Sequence, residues 1–280
     1  MKLYSINTGH FKLDGGAMFG VVPKSIWQKL NPADDNNMCS WALRCLLIEE
    51  GNRLILVDTG MGNKQNEKFF GYYYLHGNDT LEKSLNKYGF TSNDITDVVL
   101  THLHFDHCGG AIKYNAKKTL LEPAFKNAIY YSNKKHWEWA INANLREKAS
   151  FLKENILPIK ESGHLKFIDE TTELINGVNF IEVSGHTEAM LLPIINYKNS
   201  TIAYMADLIP SAAHIPIPYI MAYDMRPLQT LTEKQIILNK AIENNWTLFF
   251  EHDPIIECVT LERNEKGIAK KDILLLEDIL

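Results

Sequence analysis

The stretch "THLHFDHCGG", Thr101 to Gly110, places three histidines and an aspartate within six positions. The chain holds 10 histidines in 280 residues, so chance is a poor account of H-x-H-x-D-H. His102 and His104 are two apart and follow the apolar, β-branched run "ITDVVL". From a tight turn at a strand end, both imidazoles can point at one metal ion. Asp106 and His107 follow at once and can face a second. Imidazole and carboxylate are borderline-to-hard ligands that suit Zn, Fe, Mn or Co rather than Cu(I). Gly109 and Gly110 let the chain pass close to such a site and begin the next element.

That motif alone cannot complete two metal sites. Further histidines and aspartates are therefore sought just after apolar strands, because in open sheets ligands gather beyond the carboxyl ends of strands. His186 follows "VNFIEVSG", Asp207 follows "TIAYMA" and His252 follows "TLFFE". Two metals roughly 3.5–4 Å apart can share a hydroxide at neutral pH, which is a nucleophile. One metal would polarise a carbonyl or phosphoryl oxygen and the other would stabilise the leaving oxygen. This logic gives hydrolysis, with Asp106 as the candidate to orient the water or carry its proton. No flavin or haem motif accompanies the cluster.

The elements that must position these residues are short. "LRCLLIEE" (43–50), "RLILVD" (53–58), "DVVLT" (97–101), "VNFIEV" (178–183), "TIAYMA" (201–206) and "TLFFE" (247–251) have the length and β-branched or aromatic content of buried strands. Between them lie helical patterns. One runs after Asp79, an expected N-cap, to a stop at Gly89. Another is expected from a capping box at Thr232 and Gln235, and the region 132–155 is helix-rich. The last segment predicts a hairpin turning near Gly267. Alternating strands and helices predict sheets covered by helices.

Composition sets the outer bounds. Hydrophobic residues make up 45% and charged residues 22%, a globular balance with no low-complexity linker, and a single domain over 1–280 is expected. The formal net charge of −5 supplies no basic face and argues against a nucleic-acid partner. No apolar run is long enough to span a membrane and the start lacks a secretory h-region. Cys39, Cys45, Cys108 and Cys258 form no C-x-x-C pair and read as free thiols of a reducing compartment. A cytoplasmic protein is the expectation.

The motifs "VDTG" (57–60), "THLHFDHCGG", "SGHT" (184–187), "MAD" (205–207) and "EHDP" (251–254), in that order, resemble those of the metallo-β-lactamase superfamily. The resemblance implies an α/β fold, an αβ/βα sandwich of two mixed sheets flanked by helices. It implies one metal held by His102, His104 and His186, and a second by Asp106, His107 and His252, with Asp207 bridging them. Asp58 would steady the His-rich loop, although on sequence alone it could equally cap a turn. The two divalent ions would be Zn, with Fe, Mn or Co as alternatives. A homodimer is also implied.

Within the superfamily, "LDGGAMFGVVPKSIW" (13–27) is similar to the lead-in of acyl-homoserine-lactone lactonases and of methyl parathion hydrolases. This favours opening of a lactone ring, of the quorum-quenching type. The alternatives are an organophosphate or aryl ester hydrolase, a glyoxalase II-like thioesterase and, from a different class, a non-catalytic metal-bound binding protein. "DILLLEDIL" lacks the basic tail expected of the thioesterase. Many lactonases carry a Tyr three residues after the bridging Asp; here that position is Pro210. Tyr223 is the candidate to replace it as donor to the substrate carbonyl. Met18 and Phe19, on the Gly-flanked "GGAMFG", are candidate substrate contacts. Of the remaining histidines, His10, His76, His136 and His164 read as solvated or hydrogen-bonded, and His214 as one that could turn into the cleft.

Overall fold

The computed structural model describes residues 1–279. The chain forms two compact units, one of Met1–Gly9 with Leu43–Asp169, the other of His10–Ala42 with the chain from Glu170 onward. There are two six-stranded sheets and one small two-stranded sheet among the described residues.

The first large sheet has the order β1 (Lys2–Asp14), β2 (Met38–Glu50), β3 (Arg53–Val57), β4 (Asp97–Val99), β7 (Ile129–Asn133), β8 (Leu165–Ile168). β5 (Ile112–Tyr114) and β6 (Leu121–Pro123) make the small sheet. β2 and β3 are antiparallel, while β3, β4, β7 and β8 run parallel. The central strands β3 and β4 are buried on both faces, which explains their unbroken apolar runs. Leu47, Leu56, Val98, Phe125, Tyr130 and Trp137 are part of the core under this sheet.

The second large sheet has the order β14 (Gly267–Leu274), β13 (Cys258–Asn264), β12 (Thr247–Phe249), β11 (Ser200–Tyr204), β10 (Met190–Tyr197), β9 (Val178–Val183). Only β11 and β12 pair in parallel. Both large sheets are therefore mixed. The expected terminal hairpin is β13–β14, with Asn264 opposite Gly267. Its edge strand β14 is mostly exposed and carries Lys270 and Lys271, which discourage further strand pairing.

The helices are α1 (Gly15–Phe19), α2 (Lys24–Trp27), α3 (Glu67–Tyr73), α4 (Leu81–Lys87), α5 (Phe105–Cys108), α6 (Lys134–Ile141), α7 (Lys153–Glu161), α8 (Pro227–Glu243) and α9 (Leu276–Ile279). Two boundaries differ from expectation. α4 is capped by the Thr80 side chain rather than by Asp79, with Thr80 Oγ1 accepting from Lys83 N–H at 3.3 Å. α8 begins at Pro227, so Thr232 lies inside the helix and its hydroxyl bonds back to the Leu228 carbonyl. Proline at the first helical position starts the helix earlier than a capping-box reading allows.

Candidate metal centre

In the first unit, the ligand candidates follow β4 directly. His102 and His107 are fully buried, His104 and Asp106 nearly so. Asp58 leaves the end of β3 with φ +57°, a strained backbone for a side chain-bearing residue. Its Oδ1 accepts from Thr101 N–H at 2.8 Å, and its Oδ2 accepts from Thr101 Oγ1–H at 2.7 Å and lies 3.1 Å from His107 Nδ1. A carboxylate only accepts, so His107 Nδ1 carries the proton and Nε2 keeps its lone pair. The Thr101 hydroxyl has spent its proton on Asp58. It therefore accepts from His102 Nδ1 at 3.1 Å, which leaves the His102 lone pair on Nε2. His104 Nε2 lies 3.0 Å from Glu147 Oε1 and is protonated there, so its lone pair is on Nδ1.

These assignments make one contact unusual. His102 Nε2 and His104 Nδ1 are 3.1 Å apart, and both present lone pairs. Two facing acceptors repel unless a cation lies between them. Asp106 Oδ2 likewise faces His107 Nε2 at 3.9 Å.

The loop is held from below by close backbone contact. Thr59 N–H and Oγ1–H both donate to the His107 carbonyl, and Gly110 N–H donates to the Gly60 carbonyl. A Cβ on Gly109 would sit 2.1 Å from the Met61 carbonyl oxygen, so only glycine fits.

In the second unit, His186 follows β9, Asp207 follows β11 and His252 follows β12. Asp207 Oδ2 lies 3.2 Å from His186 Nε2 and its Oδ1 lies 3.1 Å from His252 Nε2. The far nitrogens are occupied. His186 Nδ1 faces Asp224 Oδ1 at 2.9 Å, and His252 Nδ1 donates to the Ala42 carbonyl at 2.8 Å. In the neutral rings both Nε2 atoms present lone pairs toward a carboxylate, one on each oxygen. The His186 turn is fixed to the start of α8, where the Glu233 carboxylate accepts from Ser184 and Gly185 N–H at 2.8 and 2.9 Å.

The chemistry of the donor set thus fits divalent metal. Each of His102, His104, His107, His186 and His252 has one nitrogen bonded to the rest of the protein and the other facing another candidate ligand, the usual outer support of a metal-binding imidazole.

The other candidates lie as follows. Met18 and Phe19 sit in α1 rather than on an open loop, and both are buried. The Phe19 ring is stacked on Trp27 at 5.4 Å and on His214 at 4.5 Å, so both its faces are covered. His214 is itself buried, with Nε2 bonded to the Met18 carbonyl and Nδ1 to Ser211 Oγ. Pro210 is buried and its carbonyl accepts from His252 N–H. Tyr223 is 38% exposed beside the buried Asp224. Sequence reasoning passed over Glu147 and Asp224. Asp224 ends the mostly apolar stretch "IPIPYIMAYD" (215–224), where an aspartate after an apolar run was a usable signal. Glu147 lies in the polar run "NANLREKAS" and carries none. All four cysteines are free thiols and buried. No described helix is long and apolar enough to cross a membrane.

Known proteins are similar to this chain in sequence and fold. Residues 44–252 match the family model of the metallo-β-lactamase superfamily. An N-acyl homoserine lactonase of Bacillus thuringiensis is 29% identical over 198 residues; the match covers 66% of this chain and 66% of the lactonase, just under two thirds of its length. A probable metallo-hydrolase of Mycobacterium tuberculosis is 21% identical over 274 residues, 85% of each chain. A probable metal-dependent hydrolase from Staphylococcus aureus superposes with a TM-score of 0.87 at 27% identity, covering 98% of both chains. A dizinc quorum-quenching lactonase, in complex with the product N-hexanoyl-L-homoserine, superposes with a TM-score of 0.78 at 25% identity over 98% of this chain and 94% of its own. With the family model spanning most of the sequence and the two mixed sheets in place, the chain belongs to the metallo-β-lactamase superfamily and has its α/β fold.

Proposed function

We propose that the chain is a single-domain, dinuclear metal hydrolase that opens a lactone ring, of the N-acyl homoserine lactone type. His102, His104 and His186 would hold one ion, Asp106, His107 and His252 would hold the other, and Asp207 would serve both. The observation that carries this reading is the set of close contacts from His102 Nε2 to His104 Nδ1 at 3.1 Å and from Asp207 to His186 Nε2 at 3.2 Å and His252 Nε2 at 3.1 Å. The metal is zinc, as in the dizinc neighbour, with Fe, Mn or Co as alternatives.

When bound, the ions supply Lewis acidity, polarising the scissile carbonyl and acidifying water. The chain's own residues do the rest. Asp106 orients the attacking water and takes its proton. Asp58 holds His107 and Thr101 in register. Tyr223 donates to the substrate carbonyl in place of the residue missing at Pro210. Phe19 stiffens the substrate wall from behind through its stack, and Met18 lies beside it. The lactone substrate rests on the lactonase relatives, whose names give that activity.

The test is metal analysis of the purified protein, followed by side-by-side assay of homoserine lactones, aryl esters, phosphotriesters and S-lactoylglutathione. Two metals per chain and fastest turnover on lactones are expected. Metal without turnover on any of the four would instead indicate a binding protein, and a preference for phosphotriesters would overturn the lactone assignment.

A further inference from the structure

One segment, residues 134–150, grips three consecutive residues of the ligand loop. His136 Nε2 on α6 accepts from Leu103 N–H at 2.8 Å. Glu147 Oε1 meets His104 Nε2 at 3.0 Å. The Ser150 carbonyl accepts from Phe105 N–H at 3.0 Å. Glu147 is 2% exposed, and a carboxylate so buried is stable only if its oxygens are met by donors. Its second oxygen, Oε2, accepts from Trp139 Nε1–H at 2.6 Å and from Asn144 Nδ2–H at 3.3 Å. Asn144 in turn accepts the Glu147 backbone N–H at 3.1 Å.

The Glu147 contact settles a choice that His104 cannot make alone. A neutral imidazole carries one proton, on either nitrogen. With the proton on Nδ1, His104 would aim an N–H at His102 Nε2 and the pair would satisfy itself by a hydrogen bond. With the proton on Nε2, the pair is left as two facing lone pairs. Only the second state binds a cation.

We propose that Glu147 is a positioning residue that locks His104 with its proton on Nε2, and that Trp139, bonded to the same carboxylate, reports loading of the site. The proposal rests on His104 being a metal ligand. A cation on His104 Nδ1 makes the Nε2–H more acidic. The His104–Glu147 bond then strengthens, electron density on the carboxylate shifts toward Oε1, and the bond from the Trp139 indole weakens. The indole emission therefore changes on metal binding. Trp139 is half-buried and close enough to Oε2 for this effect to be local.

The test is a zinc titration of the metal-free full chain against a chromophoric chelator, with tryptophan emission followed in parallel. Glu147→Gln keeps the shape and removes the charge that favours the Nε2 proton. Its zinc affinity is expected to fall about 10–100-fold, the usual effect of losing the outer partner of a ligating histidine. Capacity at saturating zinc should be unchanged, and Glu147→Asp should recover part of the affinity. Trp139→Phe should lose most of the emission change at zinc concentrations where the chelator shows the site filled. Wild-type affinity in Glu147→Gln, or a full emission change in Trp139→Phe, would overturn the proposal. If the Glu147 variants do not fold, ¹⁵N spectra of the metal-free wild type decide it: His104 protonated on Nε2 supports it, on Nδ1 refutes it. A wild type that binds no zinc would sink the metal-site reading itself, whereas tight zinc binding with indifferent Glu147 variants would sink only this inference.

Discussion

Asp207 is the residue whose geometry makes the strongest demand, since each of its oxygens faces a different imidazole lone pair. Asp207→Asn replaces one of those oxygens by an amide that donates. In the metal-free protein, that change turns a repulsive contact into a hydrogen bond, so the thermal midpoint without metal should hold or rise. With zinc, the stabilisation that comes from binding the folded state should shrink. Turnover should drop by at least ~10²-fold, the weight of one preorganised electrostatic contact. Unchanged metal content and near wild-type turnover would refute the bridging role. Tyr223 makes a different prediction. It is partly exposed, so removing only its hydroxyl in Tyr223→Phe should leave the thermal midpoint near wild type. Lactone turnover should fall roughly 10–100-fold if the phenol donates in the transition state. Unaltered lactone kinetics would remove Tyr223 from the mechanism.

At the scale of elements, the ligands are placed by strand ends and by glycine-permitted backbone contact. The loop after β3 and the loop after β4 lie so close that a Cβ on Gly109 would meet the Met61 carbonyl at 2.1 Å and one on Gly110 would meet the Thr59 carbonyl at 2.2 Å. Both opposing atoms are backbone and cannot swing aside. Gly109→Ala should therefore push the two loops apart, at a cost of about 1–3 kcal/mol, as for other overpacked sites. Because Thr59 holds the His107 carbonyl, the displacement should also weaken the His107 side of the centre. Denaturant unfolding and zinc stoichiometry together check this; full stability with two tight metals would show that the loops have slack. Gly51, by contrast, has nothing within 4 Å of its added Cβ and serves as a control, its cost confined to a φ of +59°.

At the scale of the molecule, buried titratable groups outside the candidate ligand set contribute a pH dependence. Burial pushes the His214 imidazole down to about 3, against an ordinary 6.5. Its partners, the Met18 carbonyl and Ser211, suit the neutral ring. On unfolding, the ring regains its ordinary basicity. Between pH 6.5 and 3 the unfolded chain thus binds a proton that the folded chain refuses, and stability falls as pH falls through that window. One such group contributes a slope of at most about 1.4 kcal/mol per pH unit. Chemical unfolding of metal-free wild type and His214→Gln across this range should give a shallower slope in the variant. Equal slopes would place the acid sensitivity in other groups. Burial also pushes Lys234 down to about 7, and its ammonium donates to the Pro216, Ile217 and Tyr219 carbonyls that precede Tyr223 and Asp224.

The sequence by itself determined the inventory of candidate ligands and the strands that carry it. Metal ligation needs imidazoles and carboxylates at strand ends. H-x-H-x-D-H after "ITDVVL", and single His or Asp residues after three other apolar runs, satisfy that need with no knowledge of the fold. Strands β3, β4 and β12 were legible because burial on both faces leaves unbroken apolar runs, and β9 and β11 because short stretches rich in apolar and β-branched residues remain between polar ones. β10 was not: Pro193 lies inside it, opposite Phe180, and proline argues against a paired strand. What only the tertiary structure decided is which nitrogen of each of these histidines is held by the rest of the protein. That choice is made by Thr101, Asp58, Glu147, Asp224 and the Ala42 carbonyl. Glu147 lies 43 residues from its histidine and the Ala42 carbonyl 210 residues from its own. A hydrogen-bond acceptor leaves no periodicity, and a backbone carbonyl leaves no residue type. Such partners exist only once the chain has folded back on itself.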